Sequence, residues 1–204
     1  MTLDEFKVEL VDTINDDNLL DFCRKRILHG TPFIFNHRID DFYEFRKRIA
    51  NKFSISFHEI YITGSAQLGF SPHKGTEFSY DSDVDVSIVS TKLFEKIMGA
   101  VYKYQMELRL NRRAITEREL KMYHNFLEYI AIGWMRPDKL PFSFQIGELK
   151  KDWFDFFKSI SNGKSEVGNY KVAAGIFRDY SCLEQYTLSG IKAIRTKERV
   201  EAIV

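Results

Sequence analysis

The stretch that decides the fold is YITGSAQLGFSPHKGTEFSYDSDVDVSIVS, residues 61–90. It opens with an apolar run that ends in the pair Gly64-Ser65, and it closes with alternating aspartates that lead into an apolar strand. Because alternate residues of a strand share a face, Asp83 and Asp85 project to the same side with Cα atoms about 7 Å apart. The stretch therefore predicts two strands, with a pair of carboxylates at the mouth of the second.

Paired carboxylates on one strand face repel each other, and a divalent cation removes that conflict. Hard oxygen ligands suit Mg²⁺ or Mn²⁺, and two aspartates at this spacing can hold two ions about 3.5–4 Å apart. Asp81 shares the alternation and is a further possible ligand. The sequence thus predicts Asp83 and Asp85 as metal ligands.

The same residues allow three other interpretations. The simplest is a solvated acidic loop. A calcium loop is excluded because Val86 stands where glycine is required and Lys92 where the bidentate glutamate is required. A P-loop is excluded because Lys74 precedes Gly75 instead of following the second glycine of the motif.

The upstream pair Gly64-Ser65 favours a functional site. Glycine allows a tight turn that brings backbone N–H groups towards an anion, and Ser65 adds a hydroxyl donor. The next residues are expected to begin a short helical turn. An anion-binding turn followed by a metal-binding strand predicts a site for a nucleoside triphosphate.

With these residues in view, "ITGSAQLGF…SDVDVSIV" resembles the signature of the DNA polymerase β-like nucleotidyltransferase superfamily. The resemblance covers residues 60–90. The residue pattern looks most like that of bacterial stand-alone members, including those linked to phage defence, an antiviral role. It implies the nucleotidyltransferase fold and transfer of a nucleoside monophosphate from an NTP to an acceptor hydroxyl. By the same resemblance Gly64 and Ser65 hold the triphosphate while Asp83 and Asp85 are catalytic and bind the metal.

Two departures from the superfamily pattern stand out. The connection between the turn and the strand is long, and His73 or Lys74 within it is either a phosphate contact or part of a solvated hairpin tip. The superfamily also adds a third acid from a later neighbouring strand, which no residue fills convincingly. The sequence offers four positions for it: Asp81, Gln145, Glu148 and Asp179.

Working outward, apolar periodicity and turn residues outline the rest of the chain. We expect helices at 2–13, 17–28 (begun by Asp17), 40–53, 90–110, 116–135, 147–160 and 181–196, and strands at 57–63, 84–90 and 170–180. Strands separated by helices indicate an α/β or α+β protein with a small mixed sheet flanked by several helices. We expect one domain over 1–204, with an N-terminal helical part at 1–55 and the core with C-terminal helices at 56–204.

Composition narrows the functional classes. Thirty basic and 29 acidic residues give a net charge of +1, which argues against a dedicated polyanion binder. Two cysteines without metal or redox spacing and a charged N-terminus without a long apolar run favour a cytoplasmic protein with no membrane partner. Local basic clusters leave nucleic-acid contact open; they lie at 24–26, at 46–48, and at Arg112-Arg113 with Arg118 and Lys121.

The sequence therefore predicts a metal-dependent nucleotidyltransferase that uses an NTP and releases pyrophosphate. Its acceptor is a protein, an RNA or a nucleotide that the sequence does not identify. Two alternatives stay open. One is a catalytically silent nucleotide-binding or partner-regulating protein with the same fold, which the unassigned third acid motivates. The other is a nucleic-acid-binding module.

Overall fold

The computed structural model describes residues 1–112, 114–137, 140 and 147–201. Helices and strands alternate along it. The helices are α1 (Leu3–Val11), α2 (Asp16–Cys23), α3 (Ile39–Phe53), α4 (Ser65–Leu68), α5 (Thr91–Arg109), α6 (Glu117–Ala131), α7 (Gly147–Ser159) and α8 (Tyr180–Glu201). The strands are β1 (Ile60–Thr63), β2 (Phe70–Ser71), β3 (Thr76–Glu77), β4 (Asp83–Val89), β5 (Trp134–Met135) and β6 (Lys171–Phe177). The predicted combination of a small mixed sheet with much helix is confirmed.

The main sheet has four strands in the order β1-β4-β6-β5. β4 pairs antiparallel with β1 and parallel with β6, and β5 pairs antiparallel with β6. In this register Asp85 lies between Thr63 of β1 and Ala173 of β6, while Asp83 lies beside Lys171. The carboxylate end of β4 is therefore central in the sheet, with a strand on either side.

The larger core lies on the face of β4 that carries Val84, Val86 and Ile88, all of them buried. Apolar residues of α3, α5, α6 and α7 pack with these side chains, as the 3–4 spacing of Phe45 and Ile49 in α3 predicts. Burial of this face fixes the strand register, since a slip by one residue would bring Asp85 into the apolar core.

α8 lies over the opposite face of the sheet. Its Tyr180 and Tyr186 contact Tyr61 of β1 and Trp134 of β5, with ring centroids 5.6 and 4.5 Å apart respectively. A second apolar cluster joins α8 to α1, α2 and the buried ring of Phe70. The N-terminal helices thereby hold α8 above the face on which the aspartates lie.

Polar contacts reinforce that attachment. Lys192 of α8 forms an ion pair of 2.7 Å with Asp16, and the Arg199 guanidinium donates to the backbone carbonyls of Val11 and Thr13. These contacts accompany the apolar cluster along α8. Among the described helices, none has both the length and the apolar character that crossing a bilayer requires.

Several predicted boundaries are wrong: β6 ends at Phe177 instead of 180, α8 runs to Glu201 instead of 196, and three others differ for a visible local reason. Helix α2 begins at Asp16, and its cap is Asn15, whose Oδ1 accepts from the Asn18 N–H at 2.8 Å; Asp17 lies inside the first turn. Its continuation to residue 28 is a π-helical turn. Residues 57–59 form a 3₁₀ turn instead of strand, because Ser56 and Glu59 cap each other's backbone.

The third of these local differences lies at the end of α6. The periodic pattern predicts helix through residue 135, but the helix ends at Ala131 and Trp134–Met135 form a strand. Gly133 ends it by adopting a left-handed φ of 73°. A Cβ at this position would lie 2.3 Å from Sγ of Cys182, so the turn also needs glycine for close packing on α8. The resulting two-residue strand is too short for periodicity to reveal.

Candidate functional site

Asp83 and Asp85 lie on the same face of β4, as predicted, and alternate with the buried Val84 and Val86. The hydroxyl groups of Thr63 and Ser87 meet across the strands on this face, 3.0 Å apart. This central strand thus presents two carboxylates and a hydroxyl pair to the side that α8 overlies.

The turn after β1 brings Gly64 against Asp85. Gly64 has φ 68° and ψ −150°, a conformation open essentially only to glycine. A Cβ atom at position 64 would lie 2.9 Å from Oδ2 of Asp85, closer than side chains tolerate. Ser65 follows as the first residue of α4, the predicted short helical turn. The two halves of the sequence signature therefore meet in space.

The Asp85 carboxylate is electrostatically unusual. Its pKa rises from 3.8 to about 6, first because protein atoms surround it and second because Asp83 repels its charge. The positive charges of Arg136, Lys171 and Lys74 oppose that rise. Asp85 itself is exposed at the open cavity, so solvent screens part of this effect. A bound cation would stabilise the charged form of a carboxylate in such surroundings more than that of a fully hydrated one.

Beside Asp83 the neighbouring strand β6 supplies a basic side chain instead of an acidic one. Lys171 Nζ lies 2.8 Å from Oδ2 of Asp83, and the next residue of β6 on the same face is Ala173, opposite Asp85. The two strand positions that flank the carboxylates are therefore a lysine and an alanine. A third acidic ligand is absent from this part of β6.

Two of the four positions considered for that acid lie away from the site. Asp81 precedes β4, in a turn, so it does not share the strand face as expected. Asp179 follows the opposite end of β6, where it pairs with Arg178 at 2.9 Å and accepts from the Cys182 N–H. Gln145 and the side chain of Glu148 lie outside the described residues.

The connection between the turn and β4 forms a hairpin of β2 and β3. His73, at its tip, lines the same cavity as Gly64 and Asp85. Lys74 is exposed, its backbone N–H donates to Ser71, and its side chain is near enough to lower the pKa of Asp85. The hairpin thus brings Lys74 towards the carboxylates, as the phosphate-contact interpretation requires.

A cavity of about 1200 Å³ opens around this end of the sheet, and its lining also includes Trp153, Phe157 and Val172 from the other face. Gly64, Ser65, both aspartates and Lys171 line one part of it, and Trp134 and Tyr186 line another. The small residues Ala173 and Gly175 lie between these two parts along β6. Its volume exceeds the roughly 300–1,000 Å³ typical of small-ligand sites.

An aromatic cluster forms the end of this cavity furthest from Asp83. The Trp134 ring stacks on Phe177 at 8° and contacts Tyr129 and Tyr186. Its Nε1 approaches the backbone so closely that a Cβ on Gly175 would lie 2.6 Å away. The Arg136 guanidinium lies 5.7 Å from the Trp134 ring centroid. The cavity therefore combines a charged end with an aromatic end.

A metal ion fits this face in part. Asp83 and Asp85 offer hard oxygen ligands on one side of one strand, which suits a single Mg²⁺ completed by water and phosphate oxygens. Among the residues that the structure describes, no three His, Cys, Asp or Glu side chains group closely enough to hold an ion. The donor set thus fits one ion with outside ligands and does not fit two.

The basic clusters are largely engaged within the protein. Arg24 pairs with Glu184 at 2.5 Å, and Arg48 pairs with Glu166 at the same distance. The Arg46 guanidinium lies 3.9 Å from the Phe57 ring centroid. Arg112 is exposed, and Arg113 lies outside the described residues. The first two clusters therefore stabilise the fold and do not form an open basic surface.

Sequence reasoning missed Lys171, Arg136, Trp134 and Tyr186 as residues of this face. Lys171 begins a strand whose pairing with β4 is parallel and non-local, and nothing in the sequence states that register. Trp134 was hidden because the apolar period predicts helix through residue 135, and Arg136 falls in the loop expected after that helix. Gly133, a residue type that commonly ends helices, was the available signal.

Comparison with known proteins adds no relative. No family model matches the chain, and neither the curated proteins nor the solved structures contain a match to it. The resemblance over residues 60–90 consequently rests on the residues themselves.

Proposed function

We propose that this protein is a metal-dependent nucleotidyltransferase with the polymerase β-like nucleotidyltransferase fold. The observation that carries the proposal is the contact between the two parts of the signature. Gly64 adopts a glycine-only backbone conformation directly against Oδ2 of Asp85. A triphosphate held by the turn at Gly64-Ser65 would therefore lie beside a cation held by Asp83 and Asp85.

The surrounding charges support the same proposal. Asp85 is desolvated and repelled by Asp83, a conflict that a divalent cation removes. Lys171, Arg136 and Lys74 place positive charge around the carboxylates, where phosphate oxygens need it. At the other end of the cavity, Trp134 and Tyr186 offer aromatic surface for a nucleobase.

In the proposed reaction, an acceptor hydroxyl loses its proton to solvent as its oxygen attacks the α-phosphorus of the NTP, and the bond from that phosphorus to the oxygen bridging to the β-phosphate breaks. The nucleoside monophosphate passes to the acceptor and pyrophosphate leaves. The bound metal would supply charge neutralisation on the phosphate oxygens. The residues of this chain hold that ion, orient the triphosphate at Gly64 and Ser65, and add positive charge from Lys74.

The second candidate is a catalytically silent nucleotide-binding protein that regulates a partner. The pair between Lys171 and Asp83 favours this candidate. A lysine at this place neutralises the Asp83 carboxylate and supplies no further carboxylate to act as general base on the acceptor hydroxyl. This candidate keeps the nucleotide site and predicts that bound NTP stays intact.

Pyrophosphate release from each of the four NTPs with Mg²⁺ or Mn²⁺, in the presence of cell lysate as acceptor, separates the two candidates. The transferase predicts release that disappears in the Asp83→Ala/Asp85→Ala variant. Metal-dependent binding without release supports the silent candidate. Release that is unchanged in the double variant would contradict both.

A further inference from the structure

We infer that Lys171 takes the place of a metal ligand, so that the site binds one divalent cation and uses the lysine ammonium as its second positive charge. This inference rests on the proposed function and specifies how its metal site works. Its basis is the pairing of β4 with β6, which puts Lys171 directly beside Asp83.

The first step is the shortage of ligands. Two divalent ions about 3.5–4 Å apart need bridging and terminal oxygen ligands from several side chains. The described residues supply two carboxylates on this face, and Ala173, which pairs with Asp85 in the register, has no side-chain atom that could bind an ion. Within the part of the chain that the structure describes, a second ion would therefore have to share the same two carboxylates as the first.

The second step is that one of those carboxylates is already engaged. Lys171 Nζ lies 2.8 Å from Oδ2 of Asp83, the distance of a charge-assisted hydrogen bond. An ammonium at this position repels a second cation and competes for the oxygen that would hold it. The other oxygen of Asp83 and the whole Asp85 carboxylate remain for one ion.

The third step is what the lysine adds. The Lys171 side chain is 65% exposed and lines the cavity from the start of β6. It can therefore turn from Asp83 towards a phosphate oxygen. The lysine ammonium then supplies the positive charge that a second metal ion would bring, and no third acidic ligand is needed to hold it. Lys171 is on this account a residue that touches the nucleotide, and Asp83 is its resting partner.

The test counts manganese ions in the nucleotide complex. Mn²⁺ is titrated into the protein saturated with α,β-methylene ATP, or with whichever methylene NTP analogue binds most tightly. Electron paramagnetic resonance then reports free ions, bound ions and the coupling between neighbouring Mn²⁺ ions. The variants are Lys171→Asp, which adds the missing acid, and Lys164→Asp, which makes the same charge change at an exposed turn position before β6.

We expect one bound Mn²⁺ in the wild type and in Lys164→Asp, and two coupled Mn²⁺ ions in Lys171→Asp. Two ions in the wild type would overturn the inference and leave the proposed function intact. One ion in Lys171→Asp would also overturn it. No nucleotide-dependent Mn²⁺ binding in any of these proteins would instead contradict the proposed function itself.

A second variant covers a folding failure of Lys171→Asp. In Lys171→Gln the ammonium is lost without a new acid, so Asp83 becomes fully available to the first ion. We expect the Mn²⁺ dissociation constant, measured without nucleotide, to fall about fivefold, the upper range for an exposed ion pair. An unchanged constant would overturn the inference, because Lys171 would then not compete for the ligand.

Discussion

Replacing Asp85 by asparagine should stabilise the metal-free protein while removing a proposed ligand. The pKa of this carboxyl rises from 3.8 to about 6 because protein atoms surround it and Asp83 repels its charge. The charged form is therefore a cost to the folded state above pH 6. Asparagine keeps the shape of the side chain and removes the charge, so the cost disappears.

The size of the effect follows from the proton affinity. One pKa unit is a tenfold change in proton affinity and corresponds to about 1.4 kcal/mol, so a pKa raised from 3.8 to about 6 corresponds to about 3 kcal/mol of unfolding free energy. Because Asp85 still faces an open cavity, solvent screens much of this, and we expect about 1 kcal/mol at pH 8. Functional residues that reduce stability in this way are common.

The pH dependence identifies the cause. Between the unfolded pKa of 3.8 and the folded pKa of about 6, the folded state holds the proton more tightly than the unfolded chain. Stability of the wild type relative to the asparagine variant therefore falls as the pH rises through this window, and the difference is complete above pH 6. At pH 4 the advantage of the variant should be less than half of its value at pH 8, because most of the screened shift is still ahead at that pH.

Urea unfolding at pH 4 and pH 8, in chelator and at low salt, measures both quantities. The control is Asp81→Asn, which removes the same charge from an exposed turn just before β4 and should change the unfolding free energy by less than about 0.5 kcal/mol. An Asp85→Asn variant that is less stable than the wild type at pH 8, or equally stabilised at both pH values, would refute the reasoning.

Three further outcomes follow from the same geometry. Gly64→Ala should lose metal-dependent NTP binding, measured by calorimetric titration, and more than about 1 kcal/mol of unfolding free energy, because it combines backbone strain with a 2.9 Å contact to Asp85. Gly163→Ala is the control: its φ is 79° and the space around it is open, so it should show the strain alone and keep its nucleotide affinity. Mn²⁺ affinity, measured by calorimetry, should fall about tenfold for each pH unit below 6 as protons compete for Asp85, and a flat profile would exclude this carboxylate as a ligand. Gly175→Ala should displace the Trp134 ring, seen as a shift in tryptophan fluorescence, since the new Cβ would lie 2.6 Å from Nε1, and an unshifted spectrum would contradict the packing.

The sequence predicts the part of the site that lies close together along the chain. Alternation identifies the face of Asp83 and Asp85, and the Gly64-Ser65 turn is readable because glycine there has few other reasons to occur. The helix starts expected at residues 90 and 116 are local in the same way, and the structure has Ser90 and Thr116 as the N-caps of α5 and α6. These features depend on residues a few positions apart.

The remainder depends on pairing between distant segments. Lys171 and Asp83 are separated by 88 positions, and only the parallel register of β4 and β6 brings them together. The aromatic end of the cavity requires β5, a two-residue strand, to meet α8. Periodicity reports which face of an element is buried, but it carries no information about which element lies opposite.

The central claim is that the aspartates and the Gly64-Ser65 turn form one metal-dependent triphosphate site. Calorimetric titration with a non-hydrolysable NTP analogue, with and without Mn²⁺, tests it for wild type and for Asp83→Asn/Asp85→Asn. The account predicts binding that requires Mn²⁺ in the wild type and is lost in the double variant. Binding of equal strength without the metal, or unaffected by the two substitutions, would contradict it.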